Sequence, residues 1–167
     1  NEHSWIASYV ENEKLIYNYE KALAAPGPLA HSLSLYTCIF ALYSGRTFIG
    51  QRQFDAKRFI SILNEQHSNI ALFLVPTMLH QLLNVDTTIT HIKSIFCSGA
   101  KLSESLFKTV SQQFKNANII EFFGTSEASF ITYNFNQTSP TNSVGQVFPN
   151  VSIKLEAQDN RKIGLLK

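Results

Sequence analysis

Gly124-Thr125-Ser126-Glu127 follows an apolar run, Ile119 to Phe123, and sets two hydroxyls and a carboxylate beside a glycine. A Ser126 hydroxyl can donate to an anionic oxygen, while an ionised Glu127 only accepts and so suits a hard cation such as Mg²⁺. Gly124 permits φ > 0 or close approach of a ligand to the backbone. Together these groups point to a nucleoside triphosphate. Taken locally, the same residues also suit a plain strand-end turn, with Thr and Ser on the backbone and Glu in water.

The elements that must position this segment are strands and helices in alternation. Ile70–Val75 (IALFLV), His91–Cys97 (HIKSIFC) and Asn118–Phe123 (NIIEFF) read as buried strands. Between them, Pro76 opens one helix and Ser103-Glu104 another, with Leu106, Phe107, Val110 and Phe114 inward. Strands joined by helices through short connections predict a mostly parallel α/β sheet flanked by helices. Ser98-Gly99-Ala100 and Gly124-Thr125-Ser126 then fall on the same sheet edge, where such folds bind ligands.

Upstream, Glu2–Ala24 reads as one amphipathic helix carrying Trp5, Ile6, Tyr9, Val10, Leu15 and Ile16, with no strand before the next helix. Pro26, Gly27 and Pro28 break the chain, and a buried helix runs from after His31 to Ser44. His31 therefore stands at a helix start, equally suited to a local hydrogen bond or to lining a pocket. Gly45 ends that helix, RTFIG is a short strand, and Asp55 caps a helix from Ala56 to about Gln66. Met78 reads as core filler. After Glu127 the pattern changes. Phe130–Phe135 alternates, Gln137–Ser143 is a polar turn region, and Val151–Leu155 with Ile163–Leu166 predict an antiparallel hairpin about Asp159-Asn160. Residues 1–147 thus read as a central α/β part and 148–167 as the beginning of a β subdomain.

Composition excludes several classes. The 167 residues suffice for one domain with a substantial core, and 16% charged residues is low for a soluble surface, so part of it is expected to face more protein. A net charge of +2 without a basic, aromatic-interleaved cluster argues against a nucleic-acid partner. The longest apolar runs are too short to span a bilayer and no leader pattern is present, so a cytoplasmic location is expected. Cys38 and Cys97 read as buried thiols rather than a disulfide, and the five histidines have no zinc spacing.

Four segments carry a family resemblance. FFGTSEAS resembles the Tyr-Gly-any-Thr-Glu strand end of the adenylate-forming superfamily, the acyl-CoA ligases and related acyl-adenylating enzymes. SGAKLSES resembles that family's Gly-Ala loop, GPLAHSLS its Pro-Leu-aromatic-His segment, and SVGQVFPNVSIKL the segment leading into its next β region. The likeness, in the family's order over nearly the whole chain, is greatest to bacterial fatty-acyl and aryl-acyl CoA ligases. It implies a carboxylic acid and ATP as substrates, Mg²⁺, and CoA as acceptor. It further implies that Phe123 stacks on adenine, that Gly124, Thr125 and Ser126 meet the phosphate, and that Glu127 holds Mg²⁺. Gly99, Ala100 and Lys101 would run along the nucleotide, and His31 and Ser98 would line the acyl pocket. Ala30 and Ser34 depart from the family's usual aromatic and Gly.

NEHSW resembles the helix after the family's phosphate loop. That loop is accordingly expected before Asn1, and the ribose-binding aspartate, hinge and catalytic lysine after Lys167. The chain reads as a fragment of the large N-terminal domain, inactive alone and completed by the missing parts of its own protein. Three other readings remain open at this point: loading of a carrier-protein thiol, a degenerate ATP-binding homologue, and an α/β-hydrolase with Ser126 as nucleophile.

Overall fold

The computed structural model describes residues 2–16, 19–86, 89–140, 142–157 and 164–166. Its centre is a seven-stranded sheet in the order β2-β1-β3-β4-β5-β6-β7. The strands are β1 (Glu20–Pro26), β2 (Thr47–Gln51), β3 (Asn69–Leu74), β4 (Ile92–Cys97), β5 (Asn118–Thr125), β6 (Ser129–Phe135) and β7 (Gln146–Val147). The first five are parallel, β6 is antiparallel to β5, and β7 is antiparallel to β6. The helices are α1 (Glu2–Leu15), α2 (Ser32–Tyr43), α3 (Ala56–Asn64), α4 (Pro76–Leu83) and α5 (Glu104–Gln113).

Alternation along the strands makes three layers. On β3, Ile70, Leu72 and Leu74 join Phe59 and Leu63 of α3, Leu79 of α4 and Val110 of α5 in one core. Ala71 and Phe73 point the other way, into a second core with Tyr9 of α1 and Phe40 of α2. Strands covered on both faces are largely apolar, which is why β3 was legible as a continuous run and β4, despite Lys93 and Ser94, as a buried strand. Asp55 caps α3 by accepting from Arg58 N at 2.7 Å, and Ser103 caps α5 by accepting from Leu106 N at 3.2 Å.

The N-terminal region corrects the sequence reading. The predicted single helix over Glu2–Ala24 is a helix ending at Leu15 followed by β1, and β1 lies inside the sheet between β2 and β3. KALAAP lacks β-branched residues, so its strand character comes from pairing with both neighbours. The face of α1 is also unlike the expectation. Ile6 and Val10 are exposed, whereas Ser8 and Asn12 are buried. The helix over Ser32–Tyr43 buries Tyr36, Phe40 and Ala41 but exposes Leu35, Ile39 and Leu42, so it is buried on one side only among the described residues.

At the C-terminal end, β8 (Leu155–Ala157) pairs antiparallel with β9 (Gly164–Leu166). The first hairpin strand therefore begins later than Val151, and Asp159-Asn160 and Ile163 lie outside the described residues. Both cysteines are free thiols. Among the described residues no helix is long and apolar enough to cross a membrane.

Candidate functional site

Four neighbouring strand ends, in the sheet order β1, β3, β4, β5, open onto one cleft of about 530 Å³. After β1, the Pro26-Gly27-Pro28 break leads to His31, the extended N-cap residue of α2, whose ring makes no capping hydrogen bond. His31 lines the cleft with Leu33 and Tyr36. Val75 comes from the end of β3, and Ser98 and Gly99 from the end of β4. Gly99 has φ +90°, a conformation that a side chain would strain. Phe122, Gly124, Thr125, Ser126 and Glu127 arrive from β5, and Ser129 and Phe130 from β6.

A smaller chamber of about 340 Å³ shares Ser98, Gly99, Phe122 and Gly124 with the first. Ala100, Lys101, Glu121, Phe123 and Val144 complete it. All ten residues singled out from the sequence thus border one chamber or the other. Phe123, at 42% relative exposure, presents an aromatic ring there.

Gly124 is required for a different reason than expected. Its φ is not in the left-handed region, and β5 continues through it to Thr125. A Cβ at Gly124 would lie 2.0 Å from the Ser129 carbonyl oxygen and 2.9 Å from its carbon. The close approach is made by the chain's own hairpin partner. Pairing steps from Phe123↔Thr132 to Gly124↔Phe130, skipping Ile131, and Ser129 adopts φ +66°. This bulge bends the hairpin end over the cleft.

The turn itself is held locally and from α1. Thr125 Oγ1 accepts from Ala128 N at 3.0 Å, and Trp5 Nε1 donates to the Ser126 carbonyl at 3.0 Å. Ser126 and Glu127 are exposed at the cleft, and no described residue bonds the Glu127 carboxylate. The chain then returns as strand β6. A nucleophile elbow needs a strand-to-helix turn, so this geometry removes the hydrolase reading of Ser126.

Lys101 is committed elsewhere. Its Nζ lies 2.8 Å from Glu121 Oε2 and donates to the Ser143 carbonyl at 2.8 Å. Glu121 Oε1 accepts from Leu102 N at 2.7 Å. The pair ties the loop after β4 to β5, leaving the Gly99–Lys101 backbone along the smaller chamber. Sequence reasoning missed Glu121, because a carboxylate inside an apolar strand announces no partner. Beside it, burial and then the Glu121 charge push the Cys97 thiol up to about 12, so it is neutral and inert at ordinary pH.

Trp5, Leu33, Tyr36, Val75, Ser129 and Phe130 were also missed as cleft residues. Periodicity marks them only as apolar or helical. Burial raises the Tyr36 hydroxyl well above the ordinary tyrosine range, so it serves as a neutral donor. Among the described residues no group of three or more His, Cys, Asp or Glu could hold a metal. A lone carboxylate at Glu127 fits a hard cation that brings most of its own oxygen ligands, as Mg²⁺ does with phosphates and water.

A cleft at the carboxyl ends of parallel strands, with a hydroxyl-carboxylate turn and an adjacent aromatic chamber, has the place and form of a ligand site in an open α/β sheet. Consistent with it, the family described as AMP-binding enzyme matches residues 2–164, and the chain belongs to that family. A protein of Staphylococcus haemolyticus provisionally named long chain fatty acid-CoA ligase VraA is 99% identical over all of this chain, which covers 36% of that protein. The protein of the same name in Staphylococcus epidermidis is 53% identical over 99% of the chain, covering 37% of its length. The chain therefore spans little more than a third of these relatives. Among solved structures, the Bacillus subtilis o-succinylbenzoate coenzyme A synthetase in complex with ATP and magnesium superposes with a TM-score of 0.80 at 19% identity. The match covers 92% of this chain and 33% of that one, and it shows a shared fold.

Proposed function

We propose that the full-length protein is an AMP-forming acid-thiol ligase that activates a fatty or related carboxylic acid and transfers the acyl group to CoA. One observation carries the reading: a single sheet edge joins the Ser126-Glu127 turn, a largely apolar chamber, and a second chamber walled by Phe123. The names of the Staphylococcus relatives support a fatty acid as the acid.

In this reading adenine stacks on Phe123, a contact contributing about 1 to 3 kcal/mol, and the nucleotide runs along the backbone of Gly99, Ala100 and Lys101. Gly124 and Thr125 shape the turn, and Ser126 donates to the α-phosphate. The acid lies in the larger chamber, with its carboxylate toward the turn and its carbon chain among Leu33, Val75 and Phe130. His31 and Ser98 border that chamber. A carboxylate oxygen attacks the α-phosphorus, the bond to pyrophosphate breaks in line, and acyl-AMP forms. The CoA thiol, losing its proton, then attacks the acyl carbonyl and AMP leaves. No protein nucleophile takes part. The residues act by holding the two substrates in line and excluding water. Glu127 would hold Mg²⁺, and the ion would supply neutralisation of the charge that develops on the phosphate. In this reading the reaction, which consumes ATP and CoA, belongs to the cytoplasm, and the span 148–167, of which β8 and β9 are described, is assigned to the beginning of a β subdomain that follows the α/β part at 1–147.

The test is ATP/pyrophosphate exchange by the full-length protein over a panel of fatty and aromatic acids, with Glu127→Ala alongside. Acid-dependent exchange that falls by at least about 10²-fold in the variant is expected. Absence of exchange with every acid, in a folded protein that binds ATP, overturns the reading and leaves the motif as ancestry. Exchange without CoA acylation would instead point to a carrier-protein acceptor.

A further inference from the structure

Helix α1 reaches the site at two points that no motif marks. Trp5 Nε1 donates to the Ser126 carbonyl, at the near side of the Glu127 turn. Ser8 Oγ lies 2.8 Å from Ser129 Oγ, at the far side. The residues that face substrate are exposed between these two fixed points.

The hydrogen-bond directions can be worked out. Ser8 Oγ lies 2.8 Å from the Trp5 carbonyl, which can only accept, so Ser8 gives its proton there. Ser8 must then accept from both Tyr36, at 2.8 Å, and Ser129. Tyr36 in turn accepts from Asn12 Nδ2 at 2.7 Å. Each hydroxyl proton in the chain Asn12–Tyr36–Ser8–Ser129 is used once, and Tyr36 must be neutral. With the Asn12 amide donating to Tyr36, the hydroxyl protons of this buried network have one arrangement, and Asn12 Oδ1 is left without a partner among the described residues. Its end point, Ser129, sits at φ +66° in the bulge, a conformation a non-glycine residue adopts only when its surroundings impose it.

We propose that α1 is a two-point clamp on the turn, with Trp5 and Ser8 as positioning residues that act through Ser126 and Glu127 rather than on substrate. The inference rests on the ligase reading above. It explains why the buried face of α1 carries Ser8 and Asn12 while Ile6 and Val10 are exposed. The clamp holds the turn against β6, so that the phosphate donor and the metal carboxylate are set before substrate binds.

The experiment uses full-length protein. Trp5→Phe keeps an aromatic side chain beside Tyr36, which the indole meets edge-on at 5.4 Å, and removes the N–H donor together with the five-membered ring that carries it. Ser8→Ala removes the other point. Each is expected to lower kcat for exchange about 2- to 10-fold and to raise the Mg²⁺ concentration for half activity, with little change in KM for the acid; Ser8→Ala, which leaves the buried Tyr36 and Ser129 hydroxyls without their acceptor, should also lower the melting temperature. In a Glu127→Ala background Trp5→Phe should cost less than in the wild type, because one of the two groups it positions is gone and only the part acting through Ser126 remains. Unchanged kcat in both variants, or losses that multiply in the Glu127→Ala background, would overturn the clamp. If the wild type shows no acid-dependent exchange, the ligase reading falls by itself and MgATP binding by calorimetry decides. Weaker MgATP binding by the Trp5→Phe, Ser8→Ala double variant supports the clamp, and equal or absent binding in both proteins refutes it.

Discussion

Replacing Gly124 by alanine tests the geometry of the site through one atom. The added Cβ would lie 2.0 Å from the Ser129 carbonyl oxygen, 2.9 Å from its carbon and 3.3 Å from Phe130 Cα, all backbone. An ordinary carbon–oxygen contact is about 3.3 Å, so β5 and β6 must part by roughly 1.3 Å at the bulge. That opens the Thr125↔Ser129 pair and strains a hairpin end already bent by Ser129. Overpacking of this kind costs about 1 to 3 kcal/mol in stability. A displacement of about 1 Å at a catalytic group can cost 10²-fold in rate, so exchange activity should fall by about that factor. The assay is exchange kinetics together with the urea midpoint of full-length protein. Gly50→Ala is the control, because its Cβ would meet the Phe48 ring at 2.6 Å, a side chain that can swing aside. Activity of Gly124→Ala within twofold of wild type, at an unchanged midpoint, would refute the argument. Equal losses in both variants would show that backbone contact is not what distinguishes Gly124.

Further expectations concern the groups beneath the cleft. Lys101→Met leaves the buried Glu121 carboxylate without its cation, whereas Glu121→Gln keeps an acceptor for Leu102 N. The lysine variant should therefore be the less stable by about 1 to 3 kcal/mol, discounted because Lys101 is partly exposed. Urea midpoints of the two variants check this. Cys97, fully buried with its thiol pushed up to about 12, should resist iodoacetamide at pH 8 until the protein is unfolded, as read by peptide mass spectrometry. Tyr9 is likewise raised to about 12 by burial, and its hydroxyl has no partner among the described residues. Its folded pKa lies above the unfolded value near 10, so its contribution is whole below pH 10 and is lost as pH climbs toward 12. Tyr9→Phe should be neutral or stabilising at pH 7 and should flatten the alkaline loss of stability, measured by denaturant titration from pH 8 to 11.5.

Much of the parallel core was legible because buried strands leave an apolar run that polar turns interrupt. β3, β4 and β5, the helices between them, and the caps at Asp55 and Ser103 all follow from local pattern. β1 was not legible. Glu20–Pro26 contains three alanines and no β-branched residue, and becomes a strand only because β2 and β3 satisfy its backbone on both sides. The face of α1 was misread for a related reason. Hydrophobic periodicity assumes that burial follows apolarity, and here the buried side holds a hydroxyl network that offsets its own desolvation by internal hydrogen bonds. The site divides in the same manner. Gly99, Ser126, Glu127 and the loops bearing them could be read from residue types at strand ends, but Trp5, Tyr36 and Ser129 could not, since their roles depend on contacts across 121 and 28 positions of chain.

The sequence by itself determined which segments are strands and helices over most of the chain, and which small and acidic residues fall at the strand ends. Both are short-range properties, set by side-chain periodicity and by the few residue types that tolerate turns. Only the tertiary structure decided that Gly124 yields to its own hairpin partner, that Lys101 is held by Glu121 rather than left for a ligand, and that α1 grips the turn from both sides. Those outcomes depend on which backbone and side-chain groups meet when remote segments pack. Local preference carries no record of such meetings, so they are settled only when the layers close.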